Sequence, residues 1–455
     1  MMNTNDKFSR KSWLALLVFG LIGQIAWSVE NMYFNLFVFE EVATNLSAIT
    51  LMVQLSGIVA TVATLVAGTL SDKLGNRRSF ISFGYIIWGV TVGCYGFLSP
   101  DRLARLFSLP ETRAVAVSLV VVIVGDCIMT LFGSVANDAA FNAWVTDNTR
   151  AAFRGRVEGV LAILPLAAML IVAGGFGILA ELFGSYSTLF LFLGIVITLS
   201  GVLGLFLIKD SSDLLPKGTF RDILFGFRPS VVKGNKPLYL AFLIVLVYGV
   251  ATQVFMPYLI IYMKAYLGFT VLEYSLVFGI AIFAGAGLNL YLAYLSDRHE
   301  KPRLLYIGAG IMATGLFLMY LCRDMGHGVT LLLFGIAGFI MITGYIFVSA
   351  LSGSIVRDHT PVGEAGKLQG VRMIFSVLLP MLLGPMIGNA INKARNIPLE
   401  NAGADAMTTE YIPAPEIFLA GSVITLIMYI LIPLLIKQTR RSSNGTEEKK
   451  WIFQK

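Results

Sequence analysis

Long apolar runs separated by short polar segments make up most of this 455-residue sequence. A helix needs about 20 apolar residues to cross a bilayer, and twelve runs reach this size. Lipid offers the backbone no hydrogen-bond partners, so such runs are predicted to be helical. The sequence therefore predicts an all-α membrane protein with twelve transmembrane helices. The predicted helices are Trp13–Val38, Asn45–Leu70, Phe80–Leu98, Ala114–Trp144, Val157–Ala180, Thr188–Ile208, Leu238–Met263, Leu272–Leu295, Leu304–Leu321, Val329–Val356, Val371–Ile391 and Ile417–Ile436.

The polar segments between the runs repeat along the chain. GTLSDKLGNRR (Gly68–Arg78) follows the second run, and AYLSDRHEKPR (Ala293–Arg303) follows the eighth. RGRVEGV, which ends at Val160, is matched in the same way by AGKLQGV, which ends at Val371. Two six-helix bundles in the same order are parallel repeats with a pseudo-two-fold axis, as in transporters that rock two bundles. The predicted division is an N-terminal half at 1–208, a cytoplasmic central loop at 209–237 and a C-terminal half at 238–455.

The distribution of charged residues predicts how the chain is oriented in the membrane. The 34 Lys and Arg residues exceed the 27 Asp and Glu residues, and most of them lie in alternate loops. Because basic loops stay on the cytoplasmic side, both termini are predicted to be cytoplasmic, in the inner membrane of the cell. The central loop is basic and amphipathic and is predicted to lie on the membrane surface, and TRRSSNGTEEKK is predicted to be a solvated tail. Anionic lipid accounts for the net charge of +7 without any nucleic-acid partner.

The amino-acid composition is that of a membrane protein and not of a soluble domain. Hydrophobic residues make up 56% of the chain and charged residues 13%, about half the share of a soluble domain. The first run exceeds the core of a signal peptide and is predicted to stay in the membrane. The cysteines and histidines are scattered, so no disulfide framework, metal site or cofactor is predicted. These residues are Cys94, Cys127, Cys322, His299, His327 and His359.

The loop after the second run resembles a family signature. Gly68, Leu70, Asp72, Lys73, Gly75, Arg77 and Arg78 fit the motif between helices two and three of the major facilitator superfamily. The resemblance covers nearly the whole chain, and it implies a monomeric transporter of small solutes. It also implies a conformational gate of Asp72, Arg77, Arg78 and, in the second copy, Asp297. Ordinary anchoring of a basic loop is the alternative interpretation, although Asp adds nothing to anchoring.

The same resemblance implies that helices one, four, seven and ten line a central cavity. Polar and aromatic residues recur on those helices in this sequence. Aromatic faces stack on sugar C–H groups and amides bind hydroxyl groups, so a sugar or glycoside is the predicted solute. Hydrogen bonding between helices is the alternative role of the amides, and packing that of the tyrosines. The predicted substrate-binding residues are Gln24, Trp27, Asn31, Asn35, Asn142, Tyr248, Gln253, Tyr258 and Tyr345.

Three acids interrupt the apolar runs of the first half. Glu30 lies in the first run, and Asp126 and Asp138 lie in the fourth. An unpaired carboxylate at membrane depth either holds a proton or binds a cation, because an isolated buried charge is costly. Asp138 is therefore predicted to be the ion-coupling carboxylate, with Asp126 and Glu30 in support. A protonated acid bonded to a neighbouring helix, or a wetted acid near the membrane edge, is the alternative.

SVANDAAFNAWVTD, around Asp138, resembles the fourth helix of the glycoside–pentoside–hexuronide cation symporters. In that family an Asp followed by an aromatic residue, here Asp138 and Phe141, is an element of the cation site. The sodium-coupled members place two further Asp on helix two, where this chain has Ala60 and Thr64. Of the two candidate ions, this difference favours the proton over sodium.

Two other functions compete with solute uptake. A proton-coupled efflux antiporter would carry a Gly-Pro-x-x-Gly run on helix five, but this chain has AGGFG there and GPMIG (Gly384–Gly388) on helix eleven. A non-transporting sensor of the same fold would be expected to have a large soluble extension or an apolar cavity. Because the sequence shows no cluster of nucleophile, base and metal ligands, an enzyme is not predicted.

Overall fold

The computed structural model describes residues 9–149, 154–210, 225–296, 300–322, 325–361, 365–399 and 411–452. These residues include twelve helices that are long and apolar enough to cross a membrane, which we number as spans 1 to 12. Each span overlaps one predicted helix, so the prediction of twelve membrane helices is confirmed. The spans are Arg10–Val42, Leu46–Leu74, Arg77–Phe97, Arg113–Asn148, Gly159–Phe183, Tyr186–Leu207, Lys236–Tyr266, Val271–Asn289, Lys301–Leu321, His327–His359, Leu368–Arg395 and Glu416–Arg440.

Local sequence explains where the spans turn. The helix of span 2 ends at Gly75, whose φ of 59° is the left-handed conformation that glycine adopts most easily. Span 3 begins directly afterwards, because the Asn76 side chain accepts a hydrogen bond from the Ser79 N–H and caps the new helix. Gly184 and Ser185 make the same kind of connection between spans 5 and 6. These tight turns keep consecutive spans adjacent.

Several spans contain π-helical segments, which the sequence analysis did not predict. A π-helical turn carries an extra residue and leaves carbonyl groups to be satisfied elsewhere, and such turns are common at functional sites. Span 7 is also interrupted near Pro257, as the missing N–H of proline predicts. The π-helical segments are Glu30–Phe34 and Val38–Val42 in span 1, Ser134–Phe141 in span 4, Val172–Phe176 in span 5, Tyr262–Tyr266 in span 7 and Ile374–Leu378 in span 11.

Short elements lie outside the spans. A helix over Pro100–Phe107 occupies the segment between spans 3 and 4, and another over Pro229–Gly234 lies at the end of the central loop. Strands Ile397–Pro398 and Tyr411–Ile412 pair antiparallel before span 12. A helix over Met428–Ile452 continues through the predicted solvated tail, whose solvation stays a prediction. Helices also extend beyond their spans, over Arg154–Ile171, Val271–Ser296 and Ala365–Met373.

The chain divides into two compact units by contact. Unit 1 contains Met1–Phe220, Met256–Gly279 and Asn396–Pro413. Unit 2 contains Arg221–Phe255, Ile280–Arg395 and Ala414–Lys455. The predicted division at 209–237 follows the sequence repeat rather than packing, and it stays a prediction.

Small residues bring spans 3 and 6 of unit 1 close together. A Cβ atom on Gly89 would lie 2.4 Å from the backbone nitrogen of Thr198, and one on Gly194 would lie 2.5 Å from that of Gly93. Close backbone approach through small residues is how membrane helices gain packing energy when lipid is as apolar as their side chains. Span 3 is thereby fixed with Tyr85 and Trp88 buried in unit 1.

Candidate functional site

Glu30 and Asp126, from spans 1 and 4, lie together in the interior of unit 1. The Thr130 hydroxyl donates a hydrogen bond to Glu30 Oε1 at 3.0 Å. The Ser56 hydroxyl of span 2 donates to Asp126 Oδ2. Asp126 is 2% exposed, while Glu30 is half-buried at the start of a π-helical segment. Three spans therefore position two carboxyl groups, each with one hydroxyl donor.

Asp138 lies in the π-helical segment Ser134–Phe141 and interacts electrostatically with Glu30. The Ser134 hydroxyl and the Trp27 indole adjoin its carboxyl group. Glu30 interacts with Asp126 as well, so it forms the link between the two acids of span 4. The structure thus brings together all three predicted ion-coupling residues.

No cation balances these acids within the described residues. None of the three takes part in an ion pair there, and no group of three His, Cys, Asp or Glu residues in that part of the chain has the geometry of a metal site. Like charges in a poorly solvated site repel each other strongly, and desolvation adds to the cost. The cluster is stable only if part of its negative charge is neutralised by a proton or an ion.

Aromatic residues form one wall of this site. The rings of Trp27 and Trp88 lie 5.0 Å apart, and Trp88 meets Tyr85 at 5.4 Å. Gly133 makes room for both indoles, because a Cβ there would lie 2.9 Å from Trp88 and 3.0 Å from Trp27. The Tyr85 hydroxyl donates to the Phe19 carbonyl at 2.6 Å. Apart from the Trp27 indole, this wall was not predicted as part of the site, although its aromatic residues interrupt aliphatic runs in the sequence.

The predicted amide residues of spans 1 and 4 bond within their own helices. Asn31 donates to the Trp27 carbonyl at 2.8 Å, and Asn35 donates to the Asn31 carbonyl at 3.2 Å. Asn142 donates to the Asp138 carbonyl at 3.1 Å. These bonds occupy carbonyl groups in and beside π-helical turns. They leave the amide oxygens and the half-buried Gln24 as the polar groups that a solute could use.

The residues predicted on spans 7 and 10 are divided between the two units. In unit 2, the Tyr248 hydroxyl lies 3.5 Å from Ser349 Oγ, and its ring lies 6.3 Å from that of Tyr345. Gln253 is half-buried there and packs on Gly384, where a Cβ would lie 2.4 Å from it. In unit 1, the fully buried Tyr258 shares a hydrogen bond of 2.7 Å with Thr50 of span 2.

Further polar contacts join span 7 to other parts of unit 1. Lys264 Nζ lies 2.5 Å from Glu40 Oε1, and the Tyr186 hydroxyl donates to Glu40 Oε2 at 3.1 Å. Tyr411, in the second strand, shares a hydrogen bond of 3.2 Å with Ser47. Glu40 thus joins spans 1, 6 and 7, and the Thr50–Tyr258 hydrogen bond joins span 2 to span 7, at the ends predicted to face outward.

The predicted gate is organised around Arg77. Its guanidinium group, only 5% exposed, binds Asp72, donates to Asp147 Oδ2 at 3.0 Å and donates to Ser71 Oγ at 2.5 Å. Arg78 instead binds the Leu205 carbonyl. Asp297 lies outside the described residues. Sequence analysis did not assign a role to Asp147, although the offset of 211 residues that aligns Val160 with Val371 also aligns Asp147 with Asp358 and was a usable signal.

The second half contains a related ion pair. Lys301 Nζ lies 2.6 Å from Asp358 Oδ2 and donates to Ser354 Oγ at 2.8 Å. Both side chains are more exposed than Arg77. Asp358 thus corresponds to Asp147 as an acid paired with a basic side chain. This second ion pair is more exposed to solvent than the first.

Residues 12–385 match a family model described as Major Facilitator Superfamily. No curated protein matches this chain. Solved structures match with low identity over nearly the whole chain, which shows a shared fold and confirms the fold prediction. The nucleoside transporter NupG has a TM-score of 0.65 at 12% identity and covers 93% of this chain and 99% of its own.

Two further solved structures show the same fold. A bacterial homologue of the iron transporter ferroportin, in an outward-facing state, has a TM-score of 0.63 at 15% identity, covering 95% of this chain and 100% of its own. A bacterial homologue of the human lysosomal transporter Spinster, in an inward-facing state, has a TM-score of 0.60 at 13% identity, covering 94% and 95%.

Proposed function

Because the chain belongs to the Major Facilitator Superfamily, we propose that it is a secondary transporter for a sugar or glycoside, coupled to a proton or another cation. It is a multi-pass membrane protein. In the proposal it is a monomer in the inner membrane of the cell, with both termini in the cytoplasm. Alternating access moves the solute, and the coupling ion binds in the acid cluster of unit 1.

The single observation that carries this proposal is the group of Glu30, Asp126 and Asp138 without a basic partner among the described residues. A facilitator that moves a neutral solute has no need of three acids at membrane depth, since each is costly there. A coupled carrier needs a group that is charged when exposed and neutral or ion-bound when it reorients. Asp138 is half-buried and lies next to two potential donors, which supports its assignment to this role.

The class of solute rests on the surfaces near the acids. The half-buried Trp27 offers an aromatic face that is backed by the ring of Trp88, and Asn35 carries a buried amide oxygen that lacks a partner among the described residues. Such groups suit ring C–H faces and hydroxyl groups. A nucleoside is itself a glycoside, so the structural similarity to a nucleoside transporter adds this class to the candidates.

A gate belongs to the same proposal. Arg77 joins Asp72 and Ser71 of span 2 to Asp147 of span 4. Breaking these bonds would free the loop between spans 2 and 3. We assign Arg78 and Asp297 to this gate by the family motif alone.

The first test is a ligand-stabilisation screen of the purified protein. A solute that binds the native state raises the melting temperature, by an amount that increases with its concentration relative to the Kd. Monosaccharides, glycosides and nucleosides form one panel, and amino acids, drugs and divalent metals form another. Stabilisation only within the second panel would contradict the proposed solute class.

The second test uses Asp138→Asn in proteoliposomes with an imposed pH or sodium gradient. The variant imitates a permanently neutral Asp138, so we expect it to lose uphill accumulation and to keep solute exchange down a gradient. Asp101→Asn, in the short helix between spans 3 and 4, is the matched control and should accumulate solute as the parent does. Full accumulation by Asp138→Asn would remove Asp138 from the coupling mechanism, and gradient-independent uptake by the parent would show a facilitator.

A further inference from the structure

The three acids of unit 1 differ in the hydrogen-bonding groups around them. Near Asp138, the buried donors Trp27 Nε1 and Ser134 Oγ adjoin the carboxyl group and have no other hydrogen-bond partner among the described residues. Near Glu30 and Asp126 there are spare acceptors instead of spare donors. Glu30 Oε2 and Asp126 Oδ1 are buried acceptors that lack a donor in the described part of the chain. Spare donors stabilise an ionised carboxylate, whereas spare acceptors call for a proton.

The other oxygen of each acid in the Glu30–Asp126 pair already has a hydroxyl donor. Thr130 donates to Glu30 Oε1, and Ser56 donates to Asp126 Oδ2. The two free oxygens belong to carboxyl groups about one helical turn apart, because Thr130, which binds Glu30, lies four residues after Asp126 on span 4. A single proton bound to one of them supplies a donor for the other, directly or through one water molecule. It removes one charge and satisfies both oxygens at once.

Tyr95 gives an independent indication of a ligand at this place. It is 4% exposed, and its hydroxyl lacks a partner among the described residues. The hydroxyl points at the backbone next to Asp126, since a Cβ on Gly125 would lie 2.8 Å from it. Tyr95 interacts electrostatically with both Asp126 and Glu30. A buried hydroxyl in this position can donate to whichever carboxylate oxygen the proton leaves open.

We propose that Glu30 and Asp126 form a proton-sharing pair, a proton-binding site separate from Asp138. Binding transfers a proton from a hydronium ion to a carboxylate oxygen: one O–H bond of hydronium breaks, one O–H bond to the carboxylate forms, water leaves, and the new hydroxyl donates a hydrogen bond to the partner acid. The role of this proton in transport rests on the proposed function. Because Glu30 also faces Asp138, a proton on the pair lowers the repulsion on Asp138, so the two sites are thermodynamically linked.

The pair has few other charged neighbours among the described residues. Titratable groups face it from span 4 and from the end of span 3, and span 2 contributes only the Ser56 hydroxyl. No lysine, arginine or histidine in the described residues forms an ion pair with it. The facing titratable groups are Asp138, Cys127 and Tyr95.

Infrared difference spectroscopy of the reconstituted protein tests the pair without a substrate. A protonated carboxyl group absorbs separately from a carboxylate and shifts in D₂O. We expect the parent to show such a band at neutral pH and to lose it on alkaline titration. Glu30→Gln and Asp126→Asn should each abolish the whole band, because either one removes half of the shared site. Asp138→Asn and the control Asp101→Asn should keep it.

Other results would overturn the pair. Partial, additive losses in Glu30→Gln and Asp126→Asn would show independent acids, and loss in Asp138→Asn would place the proton there. Glu30→Asp keeps the acid, so if Glu30→Gln does not fold, a retained and shifted band in Glu30→Asp still supports the proposal and an absent band contradicts it. A normal band together with gradient-independent uptake would refute the proposed coupling and leave the pair intact.

Discussion

Arg77 shows how one side chain organises a loop of this transporter. Its buried guanidinium group has three acceptors on two spans, Asp72 and Ser71 on span 2 and Asp147 on span 4. The Asp210 carboxylate accepts the backbone N–H groups of Arg77 and Arg78 at 3.0 Å and so caps span 3. A buried charge with several partners depends on all of them, because a lost partner is not replaced by water.

The two repeats offer matched variants, one at Asp147 and one at Asp358, that test the strength of the Arg77 ion pair. Asp147→Asn leaves a buried guanidinium group short of one charged acceptor and should lower the free energy of unfolding by about 1–3 kcal/mol. Asp358→Asn breaks the half-exposed pair with Lys301 and should cost less than about 1 kcal/mol. Denaturation of both purified variants measures the difference. Equal losses would show that the burial of Arg77 contributes nothing to the strength of its ion pair.

At the residue scale, the sequence identified the unusual side chains but not their partners. Glu30, Asp126 and Asp138 stand out because acids are rare in apolar runs. Ser56 and Tyr95 are ordinary residues of spans 2 and 3, and only the packing of four spans brings them to the acids. Contacts between distant segments depend on how each helix is rotated about its axis, which one sequence does not define.

Helix crossings in this protein depend on where glycine is placed. On span 3, Gly89 meets the backbone of Thr198, while Gly93, one turn further on, would bring a Cβ only to 3.9 Å from Gly194. Gly89→Ala should separate spans 3 and 6 and cost about 1–3 kcal/mol by overpacking. Gly93→Ala makes an ordinary contact and should be nearly neutral. Thermal unfolding of the two variants is the measurement, and an equally stable Gly89→Ala would show that the crossing adjusts freely.

Twelve spans followed from run length, since the thickness of the bilayer sets one length for every element. The π-helical segments did not, because the predicted stripes assumed 3.6 residues per turn throughout. Two-residue strands and the eight-residue helix Pro100–Phe107 are too short for a periodic pattern to identify. The sequence therefore predicts the elements that the membrane defines and misses those that local backbone geometry defines.

At the scale of the whole molecule, sequence repeat and packing divide the chain differently. Met256–Gly279 belongs to the second repeat by sequence and to unit 1 by contact. Thr50 with Tyr258 and Glu40 with Lys264 are two of the contacts that hold it there. For alternating access between the repeats, these contacts have to break in one phase of the cycle.

Removing one of these contacts should shift the conformational equilibrium. Tyr258→Phe deletes the bond to Thr50, worth about 0.5–1.5 kcal/mol, which corresponds to a population shift of roughly 2- to 10-fold. Val53→Cys, in a background without native cysteines, reports exposure of span 2 by its rate of labelling. We expect Tyr258→Phe to speed labelling by that factor, and Tyr291→Phe, an exposed ring, to leave the rate unchanged. An unchanged labelling rate in both variants would mean that the hydrogen bond between Tyr258 and Thr50 does not limit the exposure of span 2.

The π-helical segment Ser134–Phe141 makes the site depend on the number of residues in span 4 as well as on their identity. Such a segment contains one residue more than an α-helix covering the same turns, so loss of a single codon there would restore regular α-helix. Each residue of an α-helix turns the chain by about 100°. Everything from Asn142 to Asn148 would then rotate by that angle relative to Asp126. A one-codon deletion would thus move Asp147 away from Arg77. The side chains of the acid cluster and of the Arg77 ion pair would themselves be chemically unchanged.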